Sequence, residues 1–455
     1  YNSKLCPIMT LHADALRLRL AAGPKSGSQI AAEMGLSQPT VTRALAAMGD
    51  DVIKTGQKKS TRYLLRDKHR GFGEVPVYRV DAQGKVRELG ALAPVRPDGF
   101  VFTQADGAQI HSEGLPWWLL DMRPQGFLGR AYAARFGAEL GLPSTVKEWT
   151  DSHAIRALLA HGHDLVGNLL IGAISRDKFI NMPEPQPITS ANKATAYASL
   201  AISAAEGNSP GSSAGGEQPK FTAYTESVGA ARHVIVKFSE QQVGPNSARW
   251  RDLLLAEHMA LETLRQANIA AAQSFIYDHQ GQRFLEVERF DRVGPLGRQA
   301  VMSLAALDAE FVGLATQPWP VISKSLAKQG VITPDAAEVT EILWAFGALI
   351  GNSDMHHGNL SFVSEHGRPY ALAPAYDMTP MSFSPTSSGR LPDAIHPITL
   401  HASVRNESWR RAQALATNYV SSLRACDEFS SEFQVCLDAL AMHLESASTQ
   451  INRLA

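Results

Sequence analysis

The twelve residues GNSDMHHGNLSF, at positions 351–362, constrain the fold of this chain more than any other stretch. One aspartate, two histidines and two asparagines fall within eight positions, and the apolar run ILWAFGALI directly precedes them. The surrounding fold must hold such a cluster in place, because polar groups buried without partners are costly. The stretch therefore indicates a metal site, a loop that carries a general base, or a polar turn that caps a helix.

Other polar residues stand around this stretch in the order that protein kinases use. Lys237 ends the apolar run HVIVKF, and Glu257 follows twenty residues later within a predicted helix, so the two side chains can form an ion pair. Asp354 and Asn359 are five residues apart, the spacing of the catalytic Asp and the metal-binding Asn in a kinase catalytic loop. Asp377 lies eighteen residues beyond Asn359, at a predicted strand end, and can supply a second metal carboxylate. Each residue alone has a plainer interpretation, but the ordered set predicts a kinase fold.

The segment EGNSPGSSAGGEQPKF, residues 206–221, is the richest in glycine and serine. Taken alone, it is typical of a flexible linker. A predicted helix precedes it and two predicted strands follow it, however, and a glycine loop before a hairpin can place backbone N–H groups against phosphates. Gly215 and Gly216 would permit that close approach, and Ser212 and Ser213 would place hydroxyls on the same loop.

Charge is distributed unevenly along the chain. Residues 1–70 contain twelve Lys and Arg against five Asp and Glu, a net charge of +7, whereas the whole chain carries −1. The remaining residues therefore carry −8. A basic N-terminal segment on an acidic body predicts that only this segment meets a polyanion, with duplex DNA as the expected partner.

The basic segment has the pattern of two helices around a tight turn. Ser28 is the expected N-cap of the first helix, Gly35 its left-handed end, and Ser37 the N-cap of the second. In the second helix, apolar residues recur at helical spacing: Val41, Leu45 and Met48. The residues expected to face outward toward a DNA major groove are Gln38, Thr40, Thr42 and Arg43.

Two β-prone runs follow within residues 52–66, on either side of residues 56–60. They predict a hairpin, or wing, that presents Lys58, Lys59 and Arg62 to a phosphate backbone. The alternative is a small helical domain with a solvated basic hairpin. Helices, wing and charge coincide, which favours DNA binding.

Composition limits the remaining possibilities. A hydrophobic fraction of 44% and a charged fraction of 19% in 455 residues favour two to four folded globular domains. We expect no membrane segment and no secretion signal, and the three cysteines fit a reducing cytoplasm. His161 and His163 form an H-x-H pair before a predicted strand, which is more typical of a solvated turn than of a metal site.

The chain resembles the HipA family of bacterial serine/threonine kinase toxins over roughly residues 75–440, most specifically in SSAGGEQPK, VIVKF, VERFDR, GNSDMHHGNLSF and LAPAYDM. A winged helix fused to the kinase resembles the YjjJ-like (HipH-like) subgroup. The resemblance implies a multidomain α+β fold, in which a winged helix-turn-helix precedes a two-lobed kinase with a β-rich N-lobe and a helical C-lobe. The expected domains are the winged helix (1–70), a HipA-type β-rich subdomain (71–180), the kinase N-lobe core with its hinge (181–294) and the helical C-lobe (295–455).

The resemblance also implies roles for individual residues, with ATP and Mg²⁺ as cofactors. Asp354 would be the general base, with His356 beside it, and Asn359 and Asp377 would hold Mg²⁺. Lys237 would contact the α- and β-phosphates, and the backbone of Glu288 and Phe290 would meet adenine. The implied ATP-binding residues are Ser213, Gly215, Gly216, Gln218, Lys220, Lys237, Glu257, Glu288 and Phe290. Ser213, or its neighbour Ser212, would be autophosphorylated.

This sequence departs from the family pattern at a few positions. The family often has Lys immediately before the loop Asn, whereas this chain has Gly358, which removes one cation from the transferring phosphate. His356 or His357 is a candidate to compensate. The phosphate loop also contains Glu217, which adds a negative charge, and Pro219, which removes one N–H donor.

Three functions remain open from the sequence. The first is an active protein kinase toxin that, like its relatives, acts on a translation component such as an aminoacyl-tRNA synthetase, with no separate DNA-binding antitoxin strictly required. The second is a DNA-binding regulator whose kinase body only senses nucleotide. The third is metal-dependent nicking of DNA, suggested by Asp354, His356 and His357.

Overall fold

A computed structural model describes residues 7–57, 60–206, 218–227 and 229–454, with side chains from residue 12 onward. Several residues predicted to bind DNA or phosphate lie outside these ranges: Lys58, Lys59, Ser212, Ser213, Gly215 and Gly216.

Three helices and a hairpin form the N-terminal region: α1 (Pro7–Ala21), α2 (Gly27–Met34), α3 (Gln38–Ala47), β1 (Val52–Thr55) and β2 (Arg62–Leu65). The N-cap of α2 is Ser26, not the predicted Ser28, because Ser26 and Gln29 exchange side-chain and backbone hydrogen bonds in a capping box. Gly35 ends α2 at φ 62°, and Ser37 caps α3, as predicted. The sequence pattern did not predict α1, whose buried leucines complete the core.

The hairpin β1–β2 does not stand apart from the rest of the chain. Ile53 and Leu64 are buried in one cluster with Ala93, Val95 and Val101 of the following sheet. The backbone of Arg66 also bridges to Val95. The N-terminal helices therefore sit on a hairpin whose apolar face depends on the next region for its burial.

The middle region, residues 72–180, is a five-stranded antiparallel sheet with helices packed on it. The strand order is β6-β5-β4-β3-β7. The elements are β3 (Val75–Val80), β4 (Val86–Val95), β5 (Gly99–Gln104), β6 (Gln109–Ser112), α4 (Gly126–Phe136), α5 (Asp151–His161), β7 (Leu169–Ile171) and α6 (Gly172–Ile180), with short 3-10 helices at Trp117–Met122, Val146–Glu148 and Gly162–Asp164.

The H-x-H pair is not the solvated turn that the sequence suggested. The ring of His161 lies 2.9 Å from the Tyr132 hydroxyl and packs 4.2 Å, between ring centroids, from Phe136. Burial lowers the pKa of both His161 and His163. The pair is a packed end of α5, and the described residues contain no cluster of His, Cys, Asp and Glu able to hold a metal ion there.

The next region is a four-stranded antiparallel sheet, order β10-β11-β9-β8, packed against two helices. Its elements are α7 (Lys193–Ala205), β8 (Lys220–Ser227), β9 (Ala230–Phe238), α8 (Pro245–Gln266), β10 (Ser274–His279) and β11 (Gln282–Glu288), followed by the short strands β12 (Arg292–Val293) and β13 (Gly297–Arg298). The predicted helix, hairpin and second helix around the glycine-rich segment are thus present.

The C-terminal region is mainly helical around one large apolar core. Its elements are β14 (Ala300–Ser303), α9 (Leu304–Phe311), α10 (Trp319–Lys328), α11 (Pro334–Leu349), β15 (Ser361–Ser364), β16 (Ala371–Leu372), α12 (Asn406–Ala425) and α13 (Gln434–Ile451), with 3-10 helices at His357–Asn359, Met381–Phe383 and Ser431–Phe433. Among the residues described, none of the helices has the length and apolarity needed to cross a membrane.

Candidate active site

A buried ion cluster lies where the four-stranded sheet meets the helical region. Lys237, at the end of β9, places its ammonium 2.6 Å and 2.8 Å from the two carboxylate oxygens of Glu257 on α8. The same ammonium also donates to the carboxylate of Asp377. The pairing of Lys237 with Glu257 is as their spacing predicted, whereas the contact of Lys237 with Asp377 was not predicted.

The surroundings fix the charges of this cluster. Burial opposes the charge on Lys237, but the carboxylates of Asp377 and Glu257 outweigh it and hold the pKa of Lys237 above its usual value. Glu257 is 1% exposed, and burial raises its pKa despite the neighbouring ammonium. The Thr379 hydroxyl donates to the second oxygen of Glu257 at 2.9 Å. Glu257 is thus oriented from both sides.

Asp377 lies in an irregular segment, not at the strand end that the sequence predicted. The strand β16 covers only two residues and ends at Leu372, and Ala375 bridges instead to Ala271. Asp377 itself has a φ of 54°, a left-handed conformation that is uncommon outside glycine. Burial alone would raise its pKa, but Lys237 and Lys220 lower it, so the carboxylate remains ionised.

The loop of the opening motif follows α11 and is held by two asparagines. Asn352 accepts a hydrogen bond from the backbone N–H of Asp354 at 3.0 Å and donates to the carbonyl oxygen of Asp377 at 3.1 Å. Asn359 donates its side-chain amide to the carbonyl oxygen of Asp354 at 2.8 Å. Asn352 was assigned no role from the sequence, although an Asn side chain commonly accepts a hydrogen bond from the backbone N–H two residues on.

Burial raises the pKa of Asp354, and the negative charge of Asp377 adds to the effect, whereas His356, Lys237 and Lys220 oppose it. The loop thus places the Asp354 carboxylate within the electrostatic field of the Lys237 cluster. Lys220, at the start of β8, is 3% exposed and acts electrostatically on both aspartates. Gln218, two residues before it, is partly buried at the edge of the described segment.

His356 and Gly358 are sterically linked. The Nδ1 atom of His356 accepts a hydrogen bond from the backbone N–H of Gly358 at 3.0 Å. A Cβ atom at position 358 would lie 2.9 Å from the His356 ring, closer than real contacts allow. The Tyr376 hydroxyl donates to the carbonyl oxygen of Gly358 at 2.8 Å. The present position of the His356 imidazole therefore requires glycine at 358.

The hinge candidates Glu288 and Phe290 lie at and just after the end of β11. The Phe290 ring is 5.6 Å, between centroids, from the Tyr376 ring. Glu288 ends β11, and its backbone N–H donates to the carbonyl oxygen of Gln273 at 2.8 Å. Its side chain is paired with Arg232. An adenine contact at Glu288 would therefore fall to its carbonyl group.

A cavity of about 610 Å³ borders the catalytic-loop candidate. Its walls include Met355, His356, His357 and Gly358 of the loop, together with Trp344. It therefore borders the peptide segment that directly follows Asp354 and gives a second molecule access to that segment.

Oxygen donors suited to Mg²⁺ stand at the centre of the site. Carboxylate and amide oxygens are the ligands that this ion prefers. Asp377 supplies an ionised carboxylate, and Asn359 uses its N–H₂ group internally, which leaves its amide oxygen available to a metal ion. Burial raises the pKa of Asp354 and the negative charge of Asp377 adds to the effect, a repulsion that a divalent cation would relieve. The residues present fit Mg²⁺ coordination shared with a phosphate.

A separate candidate interface lies on α3. Gln38, Thr42 and Arg43 are exposed, as predicted, whereas Thr40 is half-buried and hydrogen-bonds the Ser37 hydroxyl at 2.8 Å. Arg62 is exposed on the neighbouring hairpin and pairs in register with Thr55. These side chains lie on the faces of α3 and of the hairpin that point away from the apolar core.

Two family models and one known protein match this chain. The family model described as "YjjJ-like toxin, middle domain" matches residues 72–180, and that described as "HipA-like C-terminal domain" matches residues 212–445. Toxin YjjJ of Escherichia coli (strain K12) is 37% identical over 437 residues, which cover 96% of this chain and 98% of the relative.

Solved structures also resemble the chain, with lower similarity. A chain from the complex of the Shewanella oneidensis MR-1 toxin–antitoxin system HipA, HipB and its operator DNA is 14% identical, at a TM-score of 0.47, and the match covers 83% of this chain and 97% of that one. The Helicobacter pylori proinflammatory kinase CtkA is 12% identical, at a TM-score of 0.36, with coverages of 52% and 90%. At these TM-scores, the similarities carry no inference about the site.

Proposed function

The chain belongs to the HipA family and is a relative of the YjjJ-like toxins, and from this premise we propose that it is a Mg²⁺·ATP-dependent protein serine/threonine kinase of the toxin type. The observation that carries the proposal is the convergence of Glu257 and Asp377 on the Lys237 ammonium, next to the loop of Asp354. A lysine–glutamate pair of this kind holds the lysine against nucleotide phosphates in kinases.

The nucleotide would lie between the four-stranded sheet and the catalytic-loop candidate. Lys237 and Lys220 supply positive charge for the phosphates, and the proposed phosphate loop adds Gly215, Gly216 and Gln218. Asn359 and Asp377 would hold Mg²⁺, which neutralises charge on the phosphates when bound. At the other end, the backbone of Glu288 and Phe290 would meet the adenine.

Asp354 would act as the general base. Its raised pKa makes it a better proton acceptor than an ordinary carboxylate, and Asn352 and Asn359 fix its backbone. The substrate hydroxyl would approach from the cavity beside Met355 and His356, and Asp354 would orient it and take its proton. His356 would stand next to the transferring phosphate in place of the missing lysine at 358.

The protein's own Ser213, or Ser212, is the proposed autophosphorylation site. A protein of the translation apparatus, such as an aminoacyl-tRNA synthetase, is the proposed external substrate. Within residues 1–70, we propose a winged helix-turn-helix that binds duplex DNA through Gln38, Thr42 and Arg43 of α3 and through the basic hairpin. A kinase with its own DNA-binding domain would not strictly require a separate DNA-binding antitoxin.

Label transfer from ATP tests the kinase proposal. Wild type incubated with γ-labelled ATP and Mg²⁺ is expected to incorporate phosphate, and Asp354→Ala is expected to lose it by about 10²–10⁴-fold, the usual contribution of a general base. His366→Ala, at a side chain that is 93% exposed in the turn after β15, is the control. Absence of transfer in the wild type with either Mg²⁺ or Mn²⁺ would count against the proposal.

A regulator that only senses nucleotide is the second candidate, and Gly358 favours it. Catalysis of phosphoryl transfer is largely electrostatic, so the loss of a loop cation lowers the transfer rate without preventing nucleotide binding. Unchanged operator binding in Asp354→Ala, together with no transfer in the wild type, would select this function. DNA nicking is the weakest alternative, because the described residues bring together no group of three metal-binding side chains around Asp354.

A further inference from the structure

A buried ion network joins the middle region to the segment that follows the hinge. Asp291, one residue after Phe290, accepts two hydrogen bonds from Arg289, at 2.9 Å and 2.8 Å, and one from Arg292 at 2.6 Å. The backbone N–H of Gly167 donates to the same carboxylate at 3.0 Å. Sequence reasoning assigned no role to these charged residues of the VERFDR motif.

The turn at residues 163–167 supplies the other half of the network. Arg292 donates to the Asp164 carboxylate at 3.0 Å and to the carbonyl oxygen of Leu165 at 2.6 Å. Arg298 donates to the carbonyl oxygen of His163, and its guanidinium lies 4.6 Å from the centre of the Phe179 ring. The end of α5 and the turn after it therefore contact the chain on both sides of the β12–β13 link.

A second turn of the middle region, at residues 81–85, contacts the same segment. The backbone N–H of Arg298 donates to the carbonyl oxygen of Asp81 at 3.0 Å. A Cβ atom at Gly297 would collide with the carbonyl oxygen of Ala82, so this close approach requires glycine. The two ends of the segment 292–298 are therefore docked on two turns, while Val293 and Gly294 between them are exposed.

The arginine side chains at this docking contact are almost fully buried. The side chains of Arg289, Arg292 and Arg298 are 3%, 4% and 2% exposed, and face the carboxylates of Asp291 and Asp164. Burial lowers the pKa of Arg298 to about 9, with repulsion from Arg292 adding to the effect. One Arg298 nitrogen also has no hydrogen-bond partner among the described residues. A network with three cations and two anions tolerates poorly the loss of an anion, because a buried unpaired charge is costly.

We infer that the turn at residues 163–167 positions the hinge for nucleotide binding, with Asp164 as the positioning residue that acts through Arg292 and Asp291. The inference rests on the proposed function, because it concerns the same nucleotide site. Phe290 lies directly between Arg289 and Asp291, so a displaced network moves the backbone groups proposed to meet adenine. Small displacements of such groups weaken ligand binding strongly.

Calorimetric titration of the full chain with Mg²⁺·ATP, for wild type and Asp164→Asn, tests the inference. The Asp164 side chain is 45% exposed, so asparagine fits without new burial. The expected result is a Kd about 5- to 20-fold higher for Asp164→Asn, with the transfer rate at saturating ATP unchanged within about twofold. Asp164→Glu is expected to restore most of the affinity. The control is Asp177→Asn, which removes an exposed partner of Arg176 in the same region and leaves the Kd unchanged.

Hydrogen exchange supplies a readout that requires no nucleotide. The amides of Glu288 and Arg289 donate to Gln273 and His233, and they are expected to exchange faster in Asp164→Asn than in Asp177→Asn. A wild type that binds ATP, with an Asp164→Asn Kd within twofold of it, overturns the inference and leaves the kinase proposal intact. A wild type that binds no ATP overturns both.

Discussion

The lysine proposed to bind ATP and the arginine proposed to bind DNA differ in burial and in pairing. Lys237 is 5% exposed and its ammonium is already bound by two carboxylates, whereas Arg43 on α3 is exposed to solvent. A buried pair is positioned by the chain itself, so its geometry is complete before any ligand arrives. Arg43 pairs with no carboxylate among the described residues, so its charge is available to a second molecule such as a phosphate backbone.

The largest effect is expected at the buried cluster. Lys237→Met removes the one cation that pairs with Glu257 among the described residues, and it leaves the carboxylates of Glu257 and Asp377 facing each other. Breaking a buried pair costs about 3–5 kcal/mol, and urea unfolding would measure this loss. Lys328→Met, at the exposed end of α10, should change stability by less than about 0.5 kcal/mol. Equal unfolding free energies for Lys237→Met and Lys328→Met would show that the buried Lys237 cluster does not stabilise the fold.

A smaller effect is expected on the phosphotransfer rate at Gly358, where the resemblance to the family leads us to expect a lysine. Gly358→Ala pushes a methyl group against the His356 ring, so the imidazole must move. A displacement of this size lowers the phosphotransfer rate by about 10- to 100-fold. In the His356→Ala background, the same substitution should have little further effect, because the clash is gone. Additive losses in the double variant would show that the two residues act independently.

The exposed region should lose ligand affinity without losing stability. Arg43→Ala is expected to weaken duplex DNA binding by about tenfold and to leave the unfolding free energy unchanged. Arg17→Ala removes the same charge from a residue already paired with Asp14 and Asp51, and serves as the control. Binding should be measured on the full chain, because the hairpin shares its core with the middle sheet. Equal affinities of the two variants would argue against α3 as the DNA-contacting helix.

The smallest effect is a gain of stability at the proposed base. Burial raises the Asp354 pKa above its value in the unfolded chain, so the ionised carboxylate destabilises the folded state at neutral pH. Asp354→Asn should therefore raise the unfolding free energy by about 1 kcal/mol or less at pH 7, although it abolishes transfer. This gain should disappear below about pH 3, where the aspartate is protonated in both the folded and the unfolded state. A gain that is independent of pH would exclude the electrostatic cause.

The sequence was enough to predict a contact between distant residues where each residue lay at an identifiable position in a predicted strand or helix. Lys237 on β9 and Glu257 on α8 were predicted to pair, and the structure brings them to 2.6 Å. The turn at Gly35 and the cap at Ser37 were also predicted, because local geometry determines both.

Contacts between irregular segments escaped prediction. The left-handed Asp377, the Asn352 bridge and the docking of Asp164 on Arg292 depend on loops that tertiary packing brings together. No periodic pattern in the sequence predicts contacts between two loops. The helix α1 was missed for a different reason: its apolar residues give only a weak periodic signal, and burial of Leu16 and Leu20 depends on α2 and α3.

The central claim, that the cluster around Lys237 and Asp354 transfers phosphate, is tested most directly by peptide mass spectrometry after incubation with Mg²⁺ and ATP. The peptide spanning residues 206–220 of the wild type is expected to gain the mass of one phosphoryl group on Ser212 or Ser213, and that of Asp354→Asn is expected to remain unmodified. Equal modification of both proteins, or a wild type that phosphorylates neither itself nor any translation protein offered to it, would contradict the claim.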